Sequence, residues 1–150
     1  MAGYSGTPLA RKLGIKADHT VTLLRAPERF EDELEGLEEG VRVLRGLRGK
    51  GTIDVALSFV TRQRELDETF ARLIPRLAQT GGLWIAWPKK ASGMATEVDE
   101  SHVRATGLAT GLVDNKICAV NETWSGLRFV IRVENRRPAS KATPARRKKA

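Results

Sequence analysis

Short, almost continuously apolar runs recur along the chain and predict strands that are buried on both faces of a sheet. Residues 53–60 (IDVALSFV) and 83–87 (LWIAW) are the clearest of these runs. Residues 20–25 (TVTLLR) predict a third strand, which Pro27 ends, and residues 41–44 predict a weaker fourth. Strands with apolar residues on both faces are typical of parallel sheets, because helices cover each face.

Between these runs, apolar residues return at helical spacing. The most regular stripe predicts a helix over residues 63–79, which Pro75 kinks and the glycine pair at 81–82 ends. The apolar residues of this stripe are Leu66, Phe70, Leu73, Ile74 and Leu77. A short helix over residues 8–13 is also predicted, with Gly14 just after its end.

Two further helices are predicted from their polar residues. Residues 28–39 hold seven acids and a helically spaced set of apolar residues, so a short amphipathic helix is expected there. Thr96 is the expected N-cap of a helix over residues 97–108. Acidic side chains in the first turn, at Glu97 and Asp99, suit the positive end of the helix dipole.

The last apolar segments show a different pattern. Residues 115–121 (NKICAVN) predict a strand, and residues 127–133 (LRFVIRV) largely alternate between inward and outward positions. Alternation predicts a strand with a half-exposed face, paired in an antiparallel hairpin at or near the sheet edge. The whole order predicts an α/β fold: a small Rossmann-like, methyltransferase-like open mixed sheet, mostly parallel, with a C-terminal antiparallel hairpin and helices on both faces.

Length and charge divide the chain into a domain and a tail. The 150 residues suit one domain, expected over residues 1–135, and no apolar run approaches the roughly 18 residues that span a bilayer. Residues 136–150 carry seven basic residues, no acid and no large apolar residue, so we expect a disordered tail. The absence of a secretory signal and the presence of a single cysteine favour a soluble cytoplasmic protein without disulfides.

The basic tail is the segment expected to contact nucleic acid. Its cations are Arg136, Arg137, Lys141, Arg146, Arg147, Lys148 and Lys149. Binding through them would be weak and nonspecific and would decrease with salt, because counterion release drives it. The alternative is a solvated tail that keeps a nearly neutral domain in solution, since no aromatic residue is interleaved to stack on bases.

The carboxyl ends of the predicted parallel strands are expected to form a binding site. In open α/β sheets the ligand crevice lies beyond these ends. The residues expected to line this rim are Thr61, Lys89, Lys90, Ser92, Glu122, Trp124 and Ser125. Two ammonium groups, several hydroxyls, a carboxylate and an indole suit a small anionic ligand or an acidic segment of a partner protein.

Purely structural interpretations of these residues are equally open. Lys89 and Glu122 could pair with each other as a structural ion bridge. Trp84 and Trp87 are expected in the core. Cys118 lies within an apolar strand, where an inert thiol is expected instead of a nucleophile.

The residues that several enzyme classes and metal sites require are missing. No glycine-rich turn follows the first strand to cradle a phosphate, and no G-x-S-x-G nucleophile elbow is present. His19 and His102 are the only histidines, and they do not form a pair with metal-ligand spacing. We therefore predict no catalytic residue, no metal and no cofactor.

Three segments resemble those of an uncharacterised bacterial family, a domain of unknown function. They are YSGTPLARKLGI at residues 4–15, WPKKASG at 87–93 and ETWSGLRFVIR at 122–132, and segments of these types occur in the same order in that family. The resemblance covers nearly all of residues 4–133. It implies no activity, because none is established for the family.

A second resemblance is to class I S-adenosylmethionine-dependent methyltransferases. The segment DVALSFVT, a helix, TGGLWIAWPK, a helix and a terminal hairpin resemble the second half of such an enzyme. Those enzymes have an acidic, glycine-rich loop after their first strand and an acid at the end of their second. This chain has RAPE at the first place and RGLRGKG at the second, so the resemblance implies the fold and argues against the cofactor.

Three functions follow as hypotheses. The leading one is a non-catalytic binding or regulatory module that holds a small anionic ligand or an acidic partner segment at the rim. The alternatives are a divergent methyltransferase or other transferase that uses the same rim, and nonspecific nucleic-acid association through the tail. The chain is expected to act away from membranes, as a monomer or as a homodimer paired through the exposed edge of the hairpin.

Overall fold

Strands and helices alternate along residues 7–137, which are the residues described by a computed structural model of the chain. The strands are Thr20–Leu24 (β1), Arg42–Arg45 (β2), Ile53–Phe59 (β3), Leu77–Pro88 (β4), Val113–Ala119 (β5) and Trp124–Val130 (β6). The α-helices are Leu9–Lys12 (α1), Gln63–Leu73 (α2) and Glu100–Ala109 (α3). Turns of 3₁₀ helix occupy Phe30–Glu33, Ile74–Arg76, Lys90–Ser92 and Val133–Asn135.

The strands form one sheet in the order β2-β1-β3-β4-β6-β5. The first four strands of this order are parallel, and β6 is antiparallel to both β4 and β5. The mostly parallel sheet and its C-terminal antiparallel hairpin confirm the fold class predicted from the sequence. Within the hairpin, β6 lies between β4 and β5, so β5 is the edge strand.

Apolar side chains cover the sheet on both faces. On one face, which we call the α2–α3 face, Phe70 of α2 and Phe129 of β6 meet edge to face with centroids 5.2 Å apart. On the other, the α1 face, α1 and the turn at Phe30–Glu33 pack against the strands. The indole Nε1 of Trp84 donates to the carbonyl of Leu13 at 3.0 Å, which fixes the end of α1 to the sheet. No helix within residues 7–137 is long and apolar enough to cross a bilayer.

The acidic segment 28–39 does not form the amphipathic helix predicted for it. Only the 3₁₀ turn at Phe30–Glu33 is helical, although Phe30 and Leu34 are buried as the stripe required. The backbone leaves the helical region at Arg29 and Gly36, whose φ angles are 67° and 75°. Crowded like charges on neighbouring turns also disfavour a helix, and here they outweigh the apolar spacing.

The boundary between α2 and β4 also differs from the prediction. The helix ends at Leu73, and β4 already begins at Leu77, so the glycines at 81–82 lie inside a strand instead of ending a helix. The β3–β4 register shifts between Ile53 and Val55 at this irregular start. A Cβ at Gly81 would lie 2.7 Å from the carbonyl of Asp54, so the close approach of the two strands requires glycine.

Two element starts differ by a few residues. Helix α3 begins at Glu100 and is capped by Asp99, whose side chain accepts from the His102 amide at 3.0 Å; Thr96 is not its cap. Strand β6 begins at Trp124, not at residue 127. The Thr96 hydroxyl instead accepts from the Val98 amide at 3.1 Å, and Val98 and Val103 pack in the core of the α2–α3 face.

The predicted basic tail overlaps the end of the described region. Arg136 Nε donates to the carbonyl of Ile131 at 3.0 Å, and the Arg137 amide donates to Gln79 Oε1 at 2.7 Å. Lys141, Arg146, Arg147, Lys148 and Lys149 lie outside the described residues.

Candidate functional site

The carboxyl ends of the parallel strands meet at one edge of the sheet. The registers of β1 with β3 and of β3 with β4 place Leu24, Phe59 and Pro88 at this edge. Because β6 runs the other way, its first residue, Trp124, pairs with Pro88 at the same edge. The convergence of these ends is the geometry that the sequence predicted for a rim.

A cleft of about 590 Å³ opens at the end of β4 on the α2–α3 face, and we call it the β4 cleft. Its size falls within the range of small-molecule sites. Its polar lining residues are Lys89, Lys90, Thr96, Glu97, Asp99, Glu100, Ser101 and Ser125. Its apolar lining residues are Trp87, Pro88, Met94, Val98 and Ile117.

One wall of the β4 cleft is the turn that follows β4. The Lys89 amide donates to the carbonyl of Thr123 at 2.8 Å, which ties the end of β4 to the β5–β6 turn. Ser92 Oγ donates to the Lys89 carbonyl at 2.7 Å and accepts from the Met94 amide at 3.1 Å. Gly93 ends the turn at a φ of 74°, a backbone conformation that glycine adopts without strain. These bonds fix the backbone from which both lysines project.

The opposite wall is the segment that leads into α3. Its carboxylates are engaged by protein groups: Glu97 Oε1 accepts from the Gln63 amide at 3.1 Å, and Glu100 pairs with Arg104 at 2.9 Å. Asp99 accepts from the amide and the ring of His102. The hydrogen bond from this amide is the main reason that the pKa of the Asp99 carboxyl is lowered, and the bond to the His102 ring is the second. All three acids therefore already hold a hydrogen-bond or ion-pair partner.

The two lysines of the cleft are different. Lys89 is half-buried and Lys90 exposed, and within residues 7–137 neither ammonium group forms an ion pair or a side-chain hydrogen bond. In particular, the described residues contain no ion pair between Lys89 and Glu122. The alternative of a structural bridge between those two side chains is thus not what the structure shows.

Only some of the predicted rim residues line the β4 cleft. Lys89, Lys90 and Ser125 line the β4 cleft. Thr61 lies beside it, where its carbonyl accepts from the Glu97 amide at 2.8 Å. Ser92 directs its hydroxyl into the turn described above and does not line the cleft.

The other two predicted residues lie elsewhere. Glu122 is exposed on the β5–β6 turn. Trp124 is 8% exposed and packs in the core of the α1 face, edge to face with Phe59 at 5.0 Å between ring centroids. The alternation of side chains along β6 explains this separation, because Trp124 and Ser125 must point to opposite faces. Trp124 therefore provides no wall for the cleft.

The other tryptophans and the cysteine are core residues to different degrees. Trp84 is fully buried, as predicted, and Trp87 is buried but also contributes to the floor of the cleft. Cys118 is half-buried on the edge strand. Burial raises the pKa of its thiol, against the smaller opposing effect of Lys12 and Lys116, so it stays protonated at neutral pH.

Several lining residues were not predicted as site residues. Met94 and Ile117 are 43% and 50% exposed and give the cleft an apolar side. Ser101 faces the cleft from the first turn of α3. The polar residues near its start predicted the helix α3 itself. The face of the sheet on which α3 packs depends on tertiary contacts, and local residue spacing does not predict it.

Two arginines occupy the carboxyl ends of β1 and β2. Arg25, at a φ of 56°, turns back over the sheet and donates to Glu68 at 2.7 Å and to the hydroxyls of Ser58 and Thr69 at 3.3 Å each. Arg45 binds both carboxylate oxygens of Glu31, at 2.6 and 2.8 Å. Its guanidinium also donates to the carbonyls of the β1 loop, at Ala26 and Pro27.

Comparison with known proteins supports the fold. No protein-family profile matches the chain, and no curated protein matches it either. Solved structures do match. The chain has a methyltransferase-like fold.

The matching structures include a SAM-dependent methyltransferase from Aquifex aeolicus, with a TM-score of 0.54, 14% identity, and coverage of 83% of this chain and 88% of that one. A methyltransferase from Pyrococcus furiosus aligns with a TM-score of 0.50 and 14% identity over 82% of each chain. A protein from Pyrococcus horikoshii OT3 aligns with a TM-score of 0.50 and 12% identity over 83% of this chain and 87% of that one. At such identities the likeness concerns the fold.

The residues at the ends of β1 and β2 do not fit S-adenosylmethionine. Class I methyltransferases have a glycine-rich loop and an acid at these two places, whereas this methyltransferase-like chain has the Arg25 network and Arg45. Both guanidinium groups are held in place by acids of the chain, Arg25 by Glu68 and Arg45 by Glu31, so these side chains occupy the ends of the two strands. The carbonyls of the β1 loop are also engaged by Arg45 instead of being open to a ligand.

Proposed function

We propose that this protein is a ligand-binding domain of methyltransferase-like fold that holds a small anionic ligand in the β4 cleft. The observation that carries this proposal is that the acidic side chains of the cleft have protein partners and its two lysines have none in the described part of the chain. The acids of the cleft are bound by Gln63, His102 and Arg104, whereas Lys89 and Lys90 have no such partner within residues 7–137. The two charged groups of the cleft that have no hydrogen-bond or ion-pair partner within these residues are therefore both cations.

The chemistry of the remaining lining narrows the ligand class. Ser125 and Ser101 add hydroxyl groups on either side of the lysines. Trp87, Ile117 and Met94 form an apolar surface next to them. A carboxylate, sulfonate or phosphate joined to an apolar group would suit this lining. Its anion would contact the lysines and hydroxyls, and its apolar group would cover the apolar surface and remove it from water.

The probe that tests this proposal is 1-anilinonaphthalene-8-sulfonate, which combines an anion with apolar rings and fluoresces when it leaves water. We expect the folded protein to bind it at the cleft and the variant K89A/K90A to bind it at least tenfold more weakly. A charged hydrogen bond is worth about 1.5–3 kcal/mol, so the loss of two ammonium partners is sufficient for this effect. The measurement is a fluorescence titration at moderate salt.

The matched control is R64A/R72A, which removes two exposed charges from the outer surface of α2. This control should bind the probe as the unchanged protein does. Equal binding by K89A/K90A would contradict the proposal, and so would an equal loss in the control, because the effect would then come from net charge. Thermal unfolding of both variants verifies that they are folded.

The fold likeness favours a second candidate, a divergent methyltransferase, over a module without catalytic activity. Calorimetry with S-adenosylmethionine separates the two candidates. The Arg25 and Arg45 networks lead us to expect no heat of binding up to millimolar concentration. A micromolar Kd would support the methyltransferase and overturn the primary proposal.

A further inference from the structure

A second cavity lies at the amino-terminal edge of the sheet, away from the β4 cleft. It encloses about 350 Å³ on the α1 face, and we call it the amino-edge pocket. Its five basic lining residues are Arg11, Lys12, Lys16, Lys116 and Arg128. Asp54 is the one acid that lines it within the described residues, and its Oδ2 already accepts from the Thr20 amide at 2.8 Å. The charge of this pocket is therefore strongly positive.

Arg128 is one of the two half-buried cations of this set. Its half-buried side chain lies across Gly82 of β4, where a Cβ would collide with the guanidinium group. Its Nη1 is 3.4 Å from Asn115 Oδ1, and residues 7–137 offer it no carboxylate within ion-pair distance. Burial lowers its pKa, and the charge of Arg136 lowers it further. A cation that is partly removed from water and has no counter-charge costs desolvation energy, which a bound anion would offset.

The β5–β6 pairing adds a second unfavourable contact at the same place. The register sets Lys116 directly opposite Arg128 across the antiparallel strands. Like charges in such a pair destabilise a sheet. Lys116 Nζ turns away to the carbonyl of Lys12 at 3.1 Å, which keeps it on the rim of the pocket. The repulsion is relieved when an anion lies between the two groups.

Arg137, the last described residue, also lies at this edge of the sheet. The Arg137 amide is held by Gln79, the neighbour of Thr80, which lines the pocket. The thirteen residues that follow contain five more Lys and Arg and no acid. A small anion would be neutralised by the pocket alone, whereas a polymer of phosphates is also attracted by the positive charge that these residues add to the sequence.

We propose that the amino-edge pocket is a contact site for the phosphate backbone of nucleic acid, bound without sequence preference. None of the lining residues is Phe, Tyr or Trp, so the pocket has no large aromatic side chain on which bases could stack. The site differs from the tail predicted from the sequence, because its cations are brought together only by the fold.

The test uses a fluorescently labelled 20-base-pair DNA duplex and fluorescence anisotropy between 50 and 200 mM salt. The variant R11Q/K16Q/K116Q removes three exposed pocket charges. We expect it to bind at least about tenfold more weakly at low salt, with a salt slope reduced by about 2–3, because each lost phosphate contact removes nearly one unit. The matched control R29Q/R64Q/R72Q loses the same charge at exposed positions away from the pocket.

A truncation after Arg137 separates the pocket from the rest of the chain. The truncated protein should bind more weakly than the full chain but should still lose affinity when the three pocket substitutions are added. Equal losses in the pocket variant and the control would overturn the proposal, as would pocket substitutions without effect. Micromolar binding of tripolyphosphate with no detectable binding of the duplex would also overturn it and assign the pocket to a small ligand.

In the single variant K116Q we expect stability and DNA affinity to change in opposite directions, which a purely structural role of Lys116 would not produce. It removes the repulsion opposite Arg128, so its Tm should rise by about 1–3 °C. Its affinity for the duplex should fall at the same time. A fall in both Tm and affinity would contradict the proposed role of Lys116.

Discussion

Two arginines, Arg25 and Arg45, form side-chain networks at the carboxyl edge of this methyltransferase-like sheet. Arg25 holds the buried hydroxyls of Ser58 and Thr69, which also bond each other at 2.8 Å, so it serves as an internal polar anchor. Arg45 closes the β1 loop from the neighbouring strand. The polar groups at the ends of β1 and β2 are thus engaged by side chains of the chain itself.

The Arg45–Glu31 pair makes part of the stability depend on pH. The hydrogen bonds from Arg45 are the main reason that the pKa of Glu31 falls from its ordinary 4.5 to about 2. A carboxyl whose pKa is lowered by folding stabilises the protein above its unfolded pKa, and this contribution is lost as the pH falls towards its folded pKa. We therefore expect E31Q to have a lower Tm than the unchanged protein at pH 7, and the difference to shrink between pH 4.5 and about 2.

The control for this measurement is E35Q, at an exposed position that forms no ion pair within residues 7–137. Its Tm should follow that of the unchanged protein at every pH. Since the Arg45 and Glu31 side chains are about two-fifths exposed, the effect should also weaken with added salt. A difference between E31Q and the unchanged protein that persists at pH 2 would contradict the role assigned to the pair.

Among the elements, α3 depends on one glycine for its position on the sheet. A Cβ at Gly107 would collide with the ring of Phe129, which is fully buried between α2 and α3. Alanine is favoured over glycine in a helix by about 1 kcal/mol, but overpacking a core costs about 1–3 kcal/mol. We expect G107A to reduce the free energy of unfolding by about 1 kcal/mol, measured by urea denaturation.

Gly51 provides the comparison for this substitution. It is exposed, its φ is not positive, and a Cβ there would meet nothing within 4 Å. G51A should therefore leave stability unchanged or raise it slightly, because alanine restricts the unfolded chain. If G107A behaved like G51A, α3 would be able to shift without cost, and its role as a fixed wall of the β4 cleft would be wrong.

The sequence predicted best those elements whose apolar residues are buried on both faces of the sheet. The runs at 53–60 and 83–87 are buried by both helical layers, so their composition alone identified them. Segment 28–39 has the spacing of a helix, yet like charges and a glycine turn decide its backbone. The start of β6 was missed because Trp124 and Ser125 look like a turn until β4 pairs with them.

The candidate sites were predictable only in part, for a related reason. Lys89 and Lys90 follow a recognisable strand end, so topology alone places them at the edge of the sheet where the β4 cleft opens. Trp124 was predicted to lie on a turn at the rim, whereas within β6 its side chain alternates with that of Ser125 and points to the α1 face. The cations of the amino-edge pocket come from α1, the loop after it, β5 and β6, and no local pattern links them.

At the scale of the whole molecule, the two proposed sites lie at opposite edges and on opposite faces of one sheet. The β4 cleft opens at the end of β4 on the α2–α3 face, and the amino-edge pocket lies where the parallel strands begin, on the α1 face. The intervening strand β3 is seven residues long, which corresponds to roughly 23 Å at about 3.3 Å per residue. Such a division would let one small domain hold a ligand and a polymer at once.

The distance between the sites predicts that they act independently. Charges separated by twice the Debye length, which is about 10 Å at 0.1 M salt, are largely screened from each other. K89A/K90A should thus leave the affinity for the DNA duplex unchanged within about twofold, apart from the change in net charge. R11Q/K16Q/K116Q should likewise leave the affinity for 1-anilinonaphthalene-8-sulfonate unchanged. In the five-residue combination each affinity should fall by the same amount as in the variant of its own site, within about 0.5 kcal/mol, as expected of distant sites. Coupling larger than that would mean that the sheet transmits a change between its edges, and the description of two separate sites on a rigid domain would have to be abandoned.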